Sequence, residues 1–154
     1  MERGQPVQDD SPVETDAPPA HALAPGRHPW DGFLTGPENE LAFAGAQAMA
    51  RGEREGLSPL VVHGPSGVGK SRLLGGLVVE WLRRHPASAV AQIDANSFVE
   101  LCREAASRTE HRDDSTGWAE LRGRFRSVDL FVMDDLEGLE RAPQAREEFS
   151  HTLD

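Results

Sequence analysis

The residues best suited to chemistry in this sequence form one glycine-rich run, Gly64-Pro65-Ser66-Gly67-Val68-Gly69-Lys70-Ser71. The run fits G-x-x-x-x-G-K-[ST], the pattern of a loop between a strand and a helix that holds phosphate groups. Glycines let the backbone approach a ligand closely, so successive N–H groups can surround one anion. In this pattern Lys70 reaches the β- and γ-phosphates, and the Ser71 hydroxyl ligates Mg²⁺. We therefore predict an ATP and Mg²⁺ site over residues 64–71 and the following Arg72.

Two adjacent carboxylates, Asp134 and Asp135, are the second candidate for chemistry. They follow the apolar run Leu130-Phe131-Val132-Met133, which is typical of a buried strand. In a parallel sheet the carboxyl end of such a strand lies beside the phosphate loop. We predict that Asp134 holds Mg²⁺ through water and that Asp135 orients or deprotonates the attacking water. The alternative is that these residues only cap the next element.

The surrounding pattern predicts the elements that position these residues. Apolar runs indicate strands at residues 60–63, 89–93 and 130–133, and helical periodicity indicates helices at 38–51, 70–84, from Asn96 or Ser97 onward, around 118–125 and at 144–153. Residues 107–117 are polar and predict a loop. Cys102 shares a helical face with apolar residues and is predicted to be a core residue. Alternation of strands and helices predicts an α/β fold with a parallel sheet and right-handed crossovers.

Composition limits the classes of protein. The chain has 154 residues, a net charge of −10 and one cysteine, so we expect one domain in a reducing, cytoplasmic setting. No run is long enough for a membrane span. Residues 1–28 are rich in proline and acidic side chains and poor in large apolar ones. We predict that this tail is disordered and that the domain covers residues 29–154.

Several pieces of the sequence resemble the ATPase domain of the bacterial DnaA replication initiators, which are AAA+ proteins. These pieces are Trp30-Asp31-Gly32-Phe33-Leu34-Thr35-Gly36-Pro37-Glu38-Asn39, the phosphate loop, Leu82-Arg83-Arg84-His85-Pro86, Arg126-Ser127-Val128-Asp129-Leu130 with Asp134-Asp135, and Glu147-Glu148-Phe149-Ser150-His151-Thr152. The first and last are the more specific, because many unrelated nucleotide-binding proteins share the loop. The chain departs from the family at Leu136-Glu137-Gly138-Leu139 and at Ala142-Pro143.

The resemblance implies further sites. It implies that Leu34, Thr35, Gly36 and Asn39 lie near the adenine; the equal alternative is that they only begin a helix. It also implies that the arginines of residues 98–127 line a DNA channel, whereas interleaved acidic residues favour a solvated mixed-charge face. These arginines are Arg103, Arg108, Arg112, Arg122, Arg124 and Arg126.

The resemblance also implies an AAA+ sheet that stops before the sensor strand, the arginine finger, the lid helices and the helix-turn-helix. Because the sensor strand lies between the strands at 60–63 and 130–133 in that family, we expect an unfilled position there and marginal stability.

Three functions remain open. The first is the ATP-binding module of a DnaA-like initiator, with ATP and ADP as an assembly switch, slow hydrolysis, nucleotide-dependent self-association, and DNA as a partner of the full-length protein. The second is a DnaA-related regulator that contacts initiator or helicase subunits, and the third is a P-loop kinase of small molecules.

Overall fold

The computed structural model describes residues 29–53, 55–112 and 116–153. The tail that the sequence predicts to be disordered, residues 1–28, lies outside the described residues. Five α-helices and two strands occur in the described part, together with one 3₁₀ helix at Leu136–Arg141. They follow in the order α1 Glu40–Ala50, α2 Lys70–Arg84, β1 Val90–Asp94, α3 Ala95–Arg112, α4 Thr116–Arg126, β2 Leu130–Asp134 and α5 Pro143–Leu153.

The two strands form a parallel pair, as the sequence predicts. Val90 lies opposite Leu130, and Asp94 lies opposite Asp134, so both carboxyl ends meet at one edge. Side chains alternate between the faces of a strand. Leu130 and Val132 of β2 pack with α1 and α2, whereas the alternate residues Phe131 and Met133 pack with α3, α4 and α5. A helical layer therefore covers each face of the sheet, which confirms the predicted α/β arrangement.

The predicted strand at residues 60–63 is wrong, since no ladder pairs this segment in the described part of the chain. A strand needs a neighbour for its N–H and C=O groups, and the only paired neighbours here are β1 and β2. An apolar cleft of about 270 Å³ lies between this segment and β2. Val61 beside the cleft is 64% exposed. The cleft lies between residues 60–63 and β2, where the family resemblance implies an unfilled position.

Helical periodicity in the sequence puts Leu41, Ala44, Ala48 and Met49 on one face of α1. Of these only Met49 is buried, together with Ala46 and Ala50, whereas Leu41 is 87% exposed, so the predicted face is wrong for Leu41. Phe43 explains the rotation, because it packs on the aromatic residues that precede the helix.

Helix α3 differs from the prediction at both ends. Its first turn is capped by Asp94, whose carboxylate accepts hydrogen bonds from the N–H groups of Asn96 and Ser97 and from the Ser97 hydroxyl, so neither predicted residue is the cap. The Ser97 hydroxyl, followed by the N–H bonds, lowers the pKa of Asp94. The helix continues to Arg112, so the loop predicted from residue 107 is wrong. Its polar residues fit a helix because Ser107 and Arg108 are exposed, and the Thr109 hydroxyl donates to the Ala105 carbonyl one turn earlier.

Helix α2 contains a buried acid, Glu80, which accepts hydrogen bonds from the guanidinium groups of Arg83 and Arg84. The hydrogen bond from Arg83 is the largest cause that lowers the pKa of Glu80 to about 2. The arrangement places two cations at the helix C-terminus, where the helix dipole favours them.

Candidate functional site

The glycine-rich run forms a loop that leads directly into α2. Gly67 and Gly69 have φ angles of 82° and 95°, which residues with a Cβ rarely adopt. Helix α2 begins at Lys70, so the N–H groups of its first turn have no partner within the helix. The positive end of the helix dipole therefore faces the loop. Such an N-terminus is suited to bind phosphate.

The ammonium group of Lys70 lies across this loop. Its Nζ donates to the carbonyl oxygens of Gly64 at 2.8 Å and Pro65 at 3.0 Å. An ammonium group has three donors, so one remains for a ligand once these two bonds are made. Lys70 is also the only lysine among the 16 lysine and arginine residues of the chain.

The direction of α2 decides which edge of the sheet the loop occupies. Near the C-terminus of α2, Trp81 Nε1 donates to Ser88 Oγ at 2.7 Å, just before β1 begins. The N–H of Ala89 donates to Asp129, just before β2 begins. Since α2 packs along the sheet with its C-terminus at the amino ends of the strands, its N-terminus faces their carboxyl ends. The loop and Asp134 therefore belong to the same edge.

The two predicted acidic residues have different backbones. Asp134 ends β2 and is partly buried, and its Oδ1 accepts a hydrogen bond from the N–H of Asp135 at 2.9 Å. Asp135 is exposed and has φ 53° and ψ 45°, the left-handed region that L-residues with a Cβ adopt at some cost. Unfavourable backbone conformations of this kind are concentrated at functional sites.

A metal at this edge needs ligands beyond the protein. Among the described residues no three His, Cys, Asp or Glu side chains are grouped closely enough to hold one. Asp94, opposite Asp134, uses its carboxylate to cap α3. Mg²⁺ ordinarily takes one or two protein oxygens together with water and phosphate oxygens. One carboxylate, one serine hydroxyl and a phosphate-binding loop fit that pattern.

The segment predicted to lie near the adenine adjoins the loop. The ring of Phe33 lies 3.3 Å from the position that a Cβ on Gly69 would take. Leu34, next in the chain, is 86% exposed. Asn39 shapes the turn, because its Oδ1 accepts from the N–H of Gly36 and its Nδ2 donates to the carbonyl of Leu34, both at 2.9 Å. Thr35 is exposed between them.

Arg72, which the sequence predicts to belong to the ATP site, contacts the segment before α1. Its guanidinium donates to the carbonyl oxygen of Asp31, so it faces residues 30–36. No local pattern predicts this contact, because the two residues are far apart along the chain.

Comparison of this sequence with known proteins identifies its family. A family described as the bacterial DnaA ATPase domain matches residues 25–154, most of the chain. This chain belongs to the DnaA family. Relatives named chromosomal replication initiator protein DnaA are 33% identical in Thermomicrobium roseum, over 88% of this chain, and 30% identical in Zymomonas mobilis, over 82%. The relative in Deinococcus deserti is 30% identical over 95% of the chain.

The match covers only part of those DnaA relatives. The chain spans 27% of the Thermomicrobium protein, 25% of the Zymomonas protein and 34% of the Deinococcus protein. The family resemblance seen in the sequence is confirmed.

Three of the six arginines that the resemblance suggested for DNA have acidic partners. Arg103 pairs with Glu100, Arg108 lies 3.7 Å from Glu104, and Arg122 makes two hydrogen bonds to Glu148. Arg108 also approaches Glu120 at 3.6 Å. Two other arginines have no acidic partner among these contacts: Arg126 donates to the His151 carbonyl, and Arg124 lies over the Phe125 ring. The side chain of Arg112 is outside the described residues. Paired arginines favour the interpretation as a mixed-charge face.

Two further expectations concern the rest of the chain. Cys102 is buried, as predicted, and burial raises the pKa of its thiol to about 11, with Glu148 adding to the effect. A thiol with that pKa is a poor nucleophile at neutral pH.

In the described part of the chain, no helix combines the length and the apolar character that crossing a membrane requires.

Proposed function

We propose that this chain is the ATP-binding part of a DnaA-type initiator, in which ATP acts as an assembly switch and is hydrolysed slowly. The observation that carries the proposal is the loop of residues 64–71, whose lysine lies across the N-terminus of α2. Membership of the DnaA family supports the same ligand. It gives no support to the interpretation as a small-molecule kinase.

The chain's own residues supply binding and charge in this proposal. The loop N–H groups and the α2 dipole bind the phosphates, and Lys70 gives its third N–H to the β- and γ-phosphate oxygens. The Ser71 hydroxyl and the Asp134 carboxylate would hold Mg²⁺. When bound, this ion offsets phosphate charge. Their common edge of the sheet supports the assignment.

Asp135 is the residue we propose to act on water. It is exposed and directly follows Asp134, so its carboxylate can accept a proton from a water beside the phosphates. Its left-handed backbone distinguishes it from an ordinary residue after a strand. Leu34, Thr35 and Gly36 are the residues we propose for the adenine, with Asn39 holding their turn.

The test is the thermal stabilisation that a nucleotide gives. A ligand present at 100 times its Kd stabilises a folded chain by about 2.7 kcal/mol. We expect MgATP and MgADP to raise the melting temperature of the natural chain, and we expect Lys70→Ala to abolish the rise. Arg146→Ala is the control, because it also removes an exposed cation but lies on α5. The proposal is wrong if both variants respond to ATP as the natural chain does.

Macromolecular partners are a further part of the proposal. The name of the relatives, chromosomal replication initiator, makes DNA and other initiator or helicase subunits the partners we propose, with self-association that depends on the nucleotide. A net charge of −10 disfavours non-specific DNA binding by this chain alone. Filter binding with a DNA fragment should therefore detect little binding by this chain and ATP-dependent binding by a full-length DnaA relative.

A further inference from the structure

Residues 30–36, which we call the aromatic segment, lie against the phosphate loop and the start of α2. Trp30 is buried, and its Nε1 donates to the Leu73 carbonyl of α2 at 3.1 Å. Phe33 reaches back through its N–H to the Trp30 carbonyl, and its ring touches Gly69. The segment is therefore fixed to the same helix that begins the phosphate loop.

One glycine of α2 makes this contact possible. A Cβ on Gly76 would lie 2.0 Å from Trp30 Nε1 and 2.1 Å from its Cδ1, well inside any allowed contact. The neighbouring Gly75 has no atom within 4 Å of the same position. A glycine in a helix interior costs about 1 kcal/mol relative to alanine, so Gly76 is explained by the indole of Trp30 rather than by packing on the sheet.

Two more contacts complete the attachment. The Arg72 guanidinium donates to the Asp31 carbonyl. Phe33 stacks on Phe43 of α1 with ring centres 5.5 Å apart, and Trp30 meets the same ring edge-on at 5.3 Å. The aromatic segment is thus held between two helices. Its exposed residues 34 and 35 follow immediately.

We propose that Trp30, Gly76 and Arg72 are positioning residues that fix the aromatic segment relative to the phosphate loop, and so set the part of nucleotide affinity that depends on the base. This inference rests on the proposed function. A ligand held at two ends binds tightly only if both sites are already at the right separation. If the attachment loosens, the base end loses its contribution while the phosphate end keeps its own.

The experiment compares a nucleotide with its phosphate portion. Isothermal titration with MgATP and with magnesium tripolyphosphate is carried out on the full chain and on Gly76→Ala, Arg72→Met and the control Gly75→Ala. We expect Gly76→Ala and Arg72→Met to weaken ATP binding at least about 10-fold, which is 1.4 kcal/mol. Tripolyphosphate binding should change less than about two-fold, and Gly75→Ala should leave both unchanged.

Each other outcome overturns a stated part of the reasoning. Parallel loss of ATP and tripolyphosphate binding in Arg72→Met would show a direct phosphate contact or general disruption. Unchanged ATP binding in Arg72→Met, which alters only an exposed side chain, overturns the proposal even if Gly76→Ala fails to fold. Equal affinity of the natural chain for ATP and tripolyphosphate overturns it as well and leaves the proposed function standing. Failure of the natural chain to bind either ligand refutes the proposed function itself.

Discussion

The ion pair between Arg122 of α4 and Glu148 of α5 gives the sharpest prediction about stability. Both guanidinium bonds measure 2.8 Å, and the Glu148 side chain is only 12% exposed, against 37% for Arg122. Removing one partner of a fully buried pair costs about 3–5 kcal/mol. Because Arg122 reaches water, we discount this to about 2–3 kcal/mol for Arg122→Met, which leaves the carboxylate buried without its cation.

Chemical denaturation of a short mutant series measures this cost. Glu148→Met should cost less, about 1 kcal/mol, because the freed arginine can turn to solvent. The double variant should be close to Glu148→Met, since no buried charge remains. Arg108→Met is the matched control: its side chain and those of its two acidic partners are at least 61% exposed, so the loss should be below about 0.5 kcal/mol. Equal losses for Arg122→Met and Arg108→Met would refute the reasoning.

Three further predictions follow from the backbone and from the buried acid. Asp135→Gly should raise the free energy of unfolding by about 1 kcal/mol, because glycine accepts φ 53° without strain. The same variant should lose any ATP hydrolysis. An unchanged melting temperature or retained hydrolysis would contradict this prediction. Glu80→Gln should destabilise the chain by about 1–2 kcal/mol at pH 7, after discounting the partly exposed arginines. Because the pKa of Glu80 is lowered to about 2, this difference should be complete above pH 4.5 and disappear as the pH falls towards 2; a difference in stability that does not vary with pH opposes this. Gly117→Ala should destabilise the chain by more than about 2 kcal/mol, because its Cβ would lie 2.4 Å from the Ala105 carbonyl oxygen. Gly123→Ala in the same helix meets open space and should stabilise the chain by up to about 1 kcal/mol. Similar melting temperatures for the two variants would contradict the close contact between Gly117 and Ala105.

The sequence was informative wherever a local pattern determines the structure. The phosphate loop needs glycines at fixed spacing, and α2, α4 and α5 follow apolar periodicity, so their existence could be predicted to within a few residues. The strands at Val90–Asp94 and Leu130–Asp134 could be predicted because each contains an apolar run.

Long-range contacts were the source of the errors. Residues 60–63 look like a strand, but a strand forms only where a neighbour pairs with its N–H and C=O groups, and no described segment does so here. Helical periodicity groups Leu41 with Met49, but periodicity alone cannot tell which face of α1 meets Phe33 and Trp30. The need for glycine at position 76 could not be predicted either, because its partner is an indole from a distant segment. Polar residues after 107 suggested a loop, but an exposed face of a helix accepts polar side chains equally well, and Ser107 and Arg108 lie on such a face.

The central claim is that the Lys70 ammonium binds the phosphates of ATP, and the chain allows a direct measurement of it. Lys70 is the only lysine, so an amine-acylating reagent has one ε-amine to modify, and the α-amine of the chain serves as an internal control. Mass spectrometry of the labelled peptides gives both rates. We expect saturating MgATP, but not adenosine, to slow acylation of Lys70 at least about 10-fold while the α-amine rate stays constant, the protection expected when phosphate occupies its free donor. Equal rates of Lys70 acylation with and without ATP would contradict the account.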